Sequence, residues 1–589
     1  MVEHRPKTNR EPWQPARALP YLVIMVAAFV FCLPMLRNGP LPTGHDSLEH
    51  LAWYKAFSEQ FWSGDPYPRW VSGLNGGLGS PVFFVYGPLP YFVPTLLRPL
   101  VPSNTRLMLG FPEFNLAAFL AMVISGVATF LWLRTMVSRK AALGAAVLYM
   151  VMPYHLWADL YVRGAFPEFW AMAWTPLVLY FTSRLVQEKR GFAGLGVSYA
   201  LLLTSHLFSL LLVSLVPVGM AAALSRPERR ARITLTVLAA MALGAALSAV
   251  YLLPALALEH LIPASRVTAD PHYFYANNFL NLRWSLFWGG PGQRFHWYIS
   301  AIALSMFVLV ICAAAVALEK MPPGRRRPLY FWLAVCAVSL FLMLSASRPV
   351  WEMLPMLQKV QFPWRLQVVL SAAAAAVLAL ALEKVSRPFT VRSASATVIA
   401  CLIVFSWGAW FLRAWRAYQG NHVDPNQTAV VRLRIDGLTW VWARWSDPGV
   451  MQRIGELSRS TARARLQSEG TVSAAVWQAR SIRLQTDTPQ ETWMLVGQFY
   501  FPGWEATELQ SGAPLRLDPS PRDGLLRIWT PAGRHEIQLR FRRGRAERVG
   551  WLVTLGALVF CASAASIGSI RARRRRVAEG TNLRAGASA

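Results

Sequence analysis

The sequence predicts a mainly α-helical, polytopic membrane protein with a small β-sandwich domain near its C-terminus. Its 589 residues are 54% hydrophobic and only 15% charged, with a mean hydropathy of +0.33. That composition is too apolar for a soluble protein of this length. Apolar runs recur along most of the chain, and basic residues cluster between them. Residues 416–549 instead alternate apolar and polar side chains between Pro/Gly turns, which is typical of short strands.

Transmembrane helices account for most of the predicted fold. About 12 apolar runs reach or approach the roughly 20 residues that a helix needs to cross a bilayer. We expect spans at 19–36, 109–133, 141–154, 166–183, 193–205, 207–224, 233–258, 297–318, 328–346, 366–383, 396–415 and 550–570.

Two segments depart from a simple series of spans. Segment 82–100 is apolar but is broken by Pro88, Pro90 and Pro94, so we expect it to be interfacial or re-entrant. Segment 193–224 must cross twice if the basic clusters on both sides of it are to share one face of the membrane, and we expect its break near His206.

The basic residues give the predicted orientation. A net charge of +29 would usually suggest a nucleic-acid partner, but the Lys and Arg residues lie in short clusters between apolar runs. With the expected spans, every cluster falls on one side, as the positive-inside rule requires. We therefore expect no nucleic acid, a multi-pass location in the cell (plasma or inner) membrane, and both termini in the cytoplasm.

The domain organisation follows from these spans and their orientation. The first outward loop and the β-rich domain are expected to be extracytoplasmic. The expected units are a cytoplasmic leader 1–18, a membrane domain 19–415 that includes the first outward loop 37–108, a β-rich domain 416–549, a last transmembrane helix 550–570 and a basic cytoplasmic tail 571–589.

Two carboxylates open the first outward loop. Asp46 and Glu49 lie three residues apart, so on a helix they share one face. Paired carboxylates can act as a general base and as metal ligands. The alternative is structural, because Asp46 at an N-cap with Glu49 three residues later forms a capping box.

Further charged residues lie near the outer ends of the expected spans. Arg163 and Glu168 are costly there unless they are paired or functional, and a structural ion pair between them is the alternative. His206 sits in an apolar hairpin, where a lone histidine is more often a hydrogen-bonded core residue than a substrate contact. Arg365 suits phosphate recognition, although beside a tryptophan it can also anchor a helix at the interface.

The expected topology places these residues on one face of the membrane. Carboxylates and arginines at one membrane surface suit a reaction on a lipid-linked phosphate. The set comprises Asp46, Glu49, Asp65, Arg69, Arg163, Glu168, His206 and Arg365.

Several short motifs resemble a known family. As a set, they resemble bacterial membrane proteins with a 6-pyruvoyl-tetrahydropterin synthase-related domain, and they are similar to YfhO-type proteins and, more distantly, to GT-C glycosyltransferases. No histidine cluster like that of the zinc-binding soluble synthases is visible, so pterin synthesis is not expected. The motifs are Gly44-His-Asp, Tyr67-Pro-Arg-Trp70, Gly79-Ser-Pro81, Tyr86-Gly-Pro-Leu-Pro-Tyr91, Arg163-Gly-Ala, Ser205-His206, Gln361-Phe-Pro-Trp-Arg365 and Tyr500-Phe-Pro-Gly-Trp504.

The GT-C likeness implies a membrane glycosyltransferase with a polyprenyl-phosphate-linked sugar donor. It implies that Asp46 is the catalytic base, that Glu49 is its helper, and that Arg163 and Arg365 contact phosphate. Asp46 and Glu49 would also hold a divalent cation (Mg or Mn) if one is used, but they are not the adjacent acidic pair of that family. The other candidate substrate-binding residues are His45, Asp65, Arg69, Glu168 and His206.

Two other functions stay open at this point. One is a lipid or glycolipid transporter or flippase, and the other is a non-catalytic cell-envelope assembly protein that acts through its β domain. Membrane lipids and the lipid-linked sugar are the expected partners, and the sequence predicts no oligomeric state.

Overall fold

The computed structural model describes residues 15–38, 45–102, 111–262, 271–384, 390–420, 445, 457 and 463–563. Within these residues, nine helices are long and apolar enough to cross a membrane, or ten if the bent pair Arg327–Met343 and Ser345–Met353 forms one span. The expected leader up to residue 14, most of 421–462 and the expected tail lie outside the described residues. The nine helices are Ala18–Arg37, Pro112–Leu133, Arg139–Arg163, Leu207–Leu224, Pro227–Leu247, Pro291–Lys320, Pro363–Leu382, Val391–Arg413 and Arg545–Ser563.

The predicted fold class, a helical membrane protein with a small C-terminal β domain, is confirmed. Two of the expected spans are helices that are either too short or not apolar enough to be counted among the candidate spans. Phe166–Glu188 is long enough, but its polar and tryptophan residues lower its hydropathy, and most of its side chains are buried. Phe192–Ser205 has only 14 residues, and the chain breaks after it at His206, as expected.

The outward segments contain shorter helices. Segment 82–100 is interrupted before Leu89, at Pro88, and contains no candidate span, although Pro94 lies inside the helix Leu89–Leu97. These short helices are Ser47–Trp62, Val82–Val85, Leu89–Leu97, Arg98–Leu100, Glu259–Leu261, Tyr275–Asn277, Trp284–Phe287, Arg348–Met353 and Pro355–Gln358. The expected span 233–258 is itself broken at Ser248, and its second part is the separate helix Ala249–Leu258.

The segment expected as an outward turn, 155–165, is mostly a π-helix. It covers Tyr154–Arg163 and ends at Gly164, which has a left-handed φ of 64°. It prolongs the helix Arg139–Val151, so the third candidate span is longer than predicted. π-Helices are rare and often occur at functional sites, and this one carries Asp159 and Arg163 into the protein interior.

The C-terminal domain consists of nine described strands in two antiparallel sheets. One sheet has the order β1-β4-β8-β7 and the other β2-β3-β9-β5-β6. The apolar residues on the inner faces of both sheets belong to one core, as in a sandwich. The strands are β1 (Ala464–Leu466), β2 (Thr471–Gln478), β3 (Ser481–Thr488), β4 (Thr492–Phe499), β5 (Trp504–Glu508), β6 (Pro514–Leu515), β7 (Leu517–Pro519), β8 (Leu525–Thr530) and β9 (Gly533–Phe541).

The β domain packs against the first outward loop. The Trp70 indole N–H donates to Gln498 Oε1 at 3.1 Å, and its ring stacks on Phe541 with centroids 5.7 Å apart. The backbone N–H of Phe499 donates to Leu78 O at 2.6 Å. These two regions, expected on the same side of the membrane, are therefore in direct contact.

Candidate functional site

The start of the first-loop helix is joined to the end of the π-helix. The backbone N–H of Asp46 donates to Arg163 O at 2.8 Å, and that of His45 donates to Val162 O at 3.2 Å. The contact needs a glycine at position 164, because a Cβ there would lie 2.4 Å from Ser47 Oγ. His45 and Asp46 of the first motif thus form one junction with Arg163 and Gly164 of the second.

Arg163 is the centre of a buried charge cluster. Its Nη1 lies 2.6 Å from Asp159 Oδ1 and 2.8 Å from Glu168 Oε2, and its Nη2 lies 3.5 Å from Asp46 Oδ2. Asp159 and Glu168 are almost inaccessible to solvent, whereas the Asp46 side chain is 40% exposed. One buried guanidinium therefore links two buried carboxylates to an exposed one.

Arg365 extends this cluster through Glu168. Its Nε lies 3.3 Å from Glu168 Oε2, and its Nη1 donates to Val360 O at 2.8 Å. Tyr154 donates from its hydroxyl to Glu168 Oε1 at 2.6 Å. The expected Arg163–Glu168 ion pair exists, but Glu168 also bridges two arginines from distant parts of the chain.

His206 lies at the far end of the cluster. It occupies the N-cap of the helix Leu207–Val213, and its Nδ1 lies 2.8 Å from Ser209 Oγ. It also interacts electrostatically with Glu168 and Arg365. The contact with Ser209 is the one expected of a histidine in the core, so both interpretations of this residue fit the structure.

The capping-box interpretation of Asp46 is not what the structure shows. Asp46 occupies the N-cap position of Ser47–Trp62, but its carboxylate makes no capping hydrogen bond within the described residues. Its described side-chain partner is Arg163. Glu49 follows in the first turn of the same helix and is half-buried.

Three candidate residues have their described contacts elsewhere. Asp65 accepts a hydrogen bond from Gln60 and lies 3.6 Å from Arg480 of the β domain. The buried Arg69 pairs with Glu547 and donates from Nη2 to Val250 O at 2.5 Å. His45 is exposed and packs edge-on against Phe295, with ring centroids 4.6 Å apart.

Asp159 and Tyr154 are the members of the cluster that the sequence analysis missed. Both lie in the π-helix Tyr154–Arg163, which begins at the last residue of the expected span 141–154 and continues through the segment where no helix was expected. The spacing of Asp159 and Arg163, four residues apart, is the arrangement in which oppositely charged side chains pair on a helix. This spacing is the feature of the sequence from which the Asp159–Arg163 pair could have been predicted.

Residues 83–413, more than half of the chain, match the membrane protein family described as the 6-pyruvoyl-tetrahydropterin synthase related domain. The chain belongs to this family. The match begins inside the first outward loop and includes Arg163, Glu168, His206 and Arg365. A search among curated proteins found no match.

Three solved structures show what this family member is similar to. Arabinofuranosyltransferase AftD from Mycobacteria is 19% identical over 67% of this chain and 27% of AftD, with a TM-score of 0.40. The Archaeoglobus fulgidus oligosaccharyltransferase is 13% identical over 68% and 55%, with a TM-score of 0.39. ArnT from Cupriavidus metallidurans, solved with bound undecaprenyl phosphate, is 14% identical over 71% and 72%, with a TM-score of 0.37. The chain thus spans about a quarter of AftD and about half of the oligosaccharyltransferase.

The described residues of this family member do not assemble a donor set for a divalent metal. No group of three or more His, Cys, Asp or Glu side chains in that part of the chain is placed to hold an ion. Asp46, the expected ligand, faces the Arg163 guanidinium instead.

Proposed function

We propose that this protein is a membrane glycosyltransferase. It transfers a sugar from a polyprenyl-phosphate-linked donor to an extracytoplasmic glycan, lipid or protein. The observation that carries the proposal is the exposed carboxylate of Asp46, held 3.5 Å from the buried Arg163 where the first loop meets the membrane domain.

Asp46 has the properties of a general base. A base must be reachable by the acceptor hydroxyl, and this carboxylate is partly exposed and not used for helix capping. Its backbone is fixed to the end of the π-helix by two hydrogen bonds from residues 45 and 46, and Arg163 orients its side chain. In the reaction, Asp46 takes the proton of the acceptor hydroxyl while the hydroxyl oxygen bonds to the anomeric carbon.

Of the two candidate arginines, Arg365 fits the leaving group, because Arg163 is already shared among Asp46, Asp159 and Glu168. The bond between the anomeric carbon and the phosphate oxygen breaks, and the lipid phosphate leaves with the electron pair. A guanidinium has five N–H donors in a planar fork that matches phosphate. Among the described atoms, Arg365 donates from Nη1 to Val360 O and pairs through Nε with Glu168, which leaves Nη2 for an anionic headgroup.

The proposal is tested by sugar transfer with the purified protein in nanodiscs. Asp46→Asn should lower the rate of transfer of labelled sugar from a polyprenyl-phosphate donor by about a hundredfold or more, which is the usual contribution of a general base. Glu59→Gln, an exposed site on the same helix, is the matched control and should leave the rate unchanged. Full activity of Asp46→Asn would refute the assignment of the base.

The transporter alternative gives a different result in liposomes. Translocation of the lipid-linked sugar without transfer, unaffected by Asp46→Asn, would replace the enzyme proposal with a flippase.

A further inference from the structure

The last helix, Arg545–Ser563, turns one face towards the rest of the protein. Gly550 and Thr554 lie on this inner face. A Cβ on Gly550 would lie 2.5 Å from Ala249 O, and the Val250 N–H donates to Thr554 Oγ1 at 2.9 Å. These contacts fix the rotation of the helix about its axis, so its opposite face points away from the protein.

The outward face of this helix begins with basic residues and continues with apolar ones. Arg545 and Arg548 are exposed and lie three residues apart, so they share a face. Leu552 and Leu555 continue that face and are 69% and 59% exposed. Because the helix is apolar enough to cross a membrane, these leucines contact acyl chains. At 1.5 Å per residue, Arg548 lies about 6 Å from Leu552 along the axis, which is the level of the lipid headgroups.

The positive charge at this level is not neutralised by the described residues. Arg542 pairs with Glu505, and the nearby Glu547 is already paired with Arg69. No carboxylate in the described part of the chain pairs with the other three arginines. Positive charge at the start of a helix is also unfavourable in the field of the helix dipole. The outer arginine cluster, which therefore calls for an external anion, consists of Arg542, Arg543, Arg545 and Arg548.

A tryptophan marks the same depth independently. The guanidinium carbon of Arg543 lies 5.7 Å from the centroid of the Trp551 ring, and Trp551 is 41% exposed. Tryptophan prefers the boundary between headgroups and acyl chains. An anion at this depth, beside leucines that contact acyl chains, is the phosphate of a membrane lipid. A soluble anion would use the arginines but not the leucines.

We propose that the outer arginine cluster and the leucines that follow it bind an anionic phospholipid from the leaflet on the β-domain side. Arg545 and Arg548 donate to the lipid phosphate, which their planar forks of N–H groups match, and the acyl chains cover Leu552 and Leu555. The basic clusters of the short loops are expected on the opposite side of the membrane. The outer arginine cluster is therefore not part of the charge pattern that sets the orientation.

The test labels the bound lipid in place. The full-length protein is placed in phosphatidylcholine nanodiscs that contain phosphatidylglycerol with a photoactivatable group in its acyl chain, and mass spectrometry maps the labelled peptides. Displacement of the label from Arg545–Ser563 by unlabelled phosphatidylglycerol gives the affinity of this site. Arg545→Gln/Arg548→Gln should lower the affinity about thirtyfold, at about fivefold for each arginine near a lipid surface. Arg545→Lys/Arg548→Lys keeps the charge and should keep most of the affinity.

The matched control removes the same charge elsewhere. Arg516 and Arg534 are exposed arginines of the β domain, and Arg534 lies at the opposite end of β9 from the cluster. Arg516→Gln/Arg534→Gln should leave the affinity unchanged. Thermal unfolding in pure phosphatidylcholine nanodiscs should be the same for all variants of Arg545 and Arg548, because both side chains are exposed.

Four results would overturn the proposal. They are no labelling of this helix in the wild type, equal affinity in the wild type and Arg545→Gln/Arg548→Gln, an equal loss in the control variant, and displacement by phosphatidylcholine as effective as that by phosphatidylglycerol. Soluble glycerol phosphate, which has the headgroup anion but no acyl chain, should not displace the label. Displacement by glycerol phosphate at the same concentration as the lipid would replace the phospholipid with a soluble anion.

Discussion

Two buried arginines of the outer region sit in similar pairs but in different surroundings. Arg163 pairs with Glu168 and Arg69 pairs with Glu547, and all four side chains are nearly inaccessible. The Arg163 cluster continues to Asp46, which is exposed, whereas the described polar contacts of Arg69 are with Glu547 and the Val250 carbonyl. A buried ion pair is thus a candidate for chemistry when its network reaches an exposed group, and a structural joint when it does not.

Lysine substitutions should separate these two arginines most strongly. Arg163→Lys keeps the charge but loses the planar fork that reaches Asp46, Asp159 and Glu168 together. We expect transfer to fall about a hundredfold, as for loss of an oriented charged group at a reacting centre. Arg69→Lys should keep transfer within about twofold. It should lower thermal stability about as much as Arg163→Lys does. Equal loss of transfer in both variants would give Arg69 the substrate-binding role that the sequence analysis assigned to it.

Apolar side chains should be able to replace the Arg69–Glu547 pair if its role is only structural. Arg69→Met alone leaves Glu547 buried without its cation, which should cost about 3–5 kcal/mol of unfolding free energy. The double variant Arg69→Met/Glu547→Leu should recover most of that loss, because a buried ion pair is often replaceable by apolar side chains. Denaturation of the detergent-solubilised protein checks both values, and a double variant as unstable as the single one would contradict this interpretation.

Much of the charge cluster could be expected from the sequence alone. Polar residues at span ends on one side must share one membrane face, so Asp46, Arg163, Glu168 and Arg365 were placed together although they are distant in sequence. Asp159 was missed because the hydropathy pattern indicates where an apolar run ends but not that a π-helix continues it.

The joint between the first loop and the β domain could not be predicted. Asp65 and Arg69 carry the same signals as Arg163, namely a charge in a Gly/Pro-rich outer segment. Their partners, Arg480 and Glu547, lie more than 400 positions away in the chain, and no local periodicity specifies such a pairing. Only the tertiary structure shows that Asp65 joins the loop to the β domain and that Arg69 joins it to the last helix, Arg545–Ser563.

Gly164 tests the geometry of the charge cluster. Gly164→Ala puts a Cβ against Ser47 Oγ at a left-handed φ of 64°, which should move the first-loop helix away from Arg163. We expect about a tenfold loss of transfer and about 1–3 kcal/mol of destabilisation from strain and displacement. Gly512→Ala in the β domain is the matched control, with a φ of 71° and open space around the new Cβ. It should show part of the destabilisation and no loss of transfer. Equal transfer rates in the two variants would mean that the position of Ser47 does not matter.

The smallest expected effect is a difference in acid sensitivity between the same two regions. Desolvation lowers the pKa of His50 in the first-loop helix to about 4, where its Nδ1 lies 2.7 Å from the Tyr91 hydroxyl. Hydrogen bonds from Ser511 and Gln510 lower the pKa of Glu508 in the β domain to about 2. His50 is neutral in the folded protein and takes up a proton only when unfolded between pH 6.5 and 4, so its contribution to stability is lost as the pH falls through that window. The contribution of Glu508 is fully present above pH 4.5 and is lost only as the pH falls towards 2.

Mild acid should therefore loosen the first loop before it affects the β domain. At pH 5.5, the His50 contribution should be about 1 kcal/mol smaller than at pH 7.5, because the unfolded histidine is then mostly protonated. Hydrogen exchange should show faster opening of residues 47–62 at pH 5.5, after correction for the intrinsic pH dependence of exchange, and unchanged protection in strands β5 and β9. His50→Gln should remove the pH dependence of the first-loop helix. A dependence that persists in this variant would assign it to another group of the outer region, and His45, whose pKa desolvation also lowers, would then be the next residue to replace.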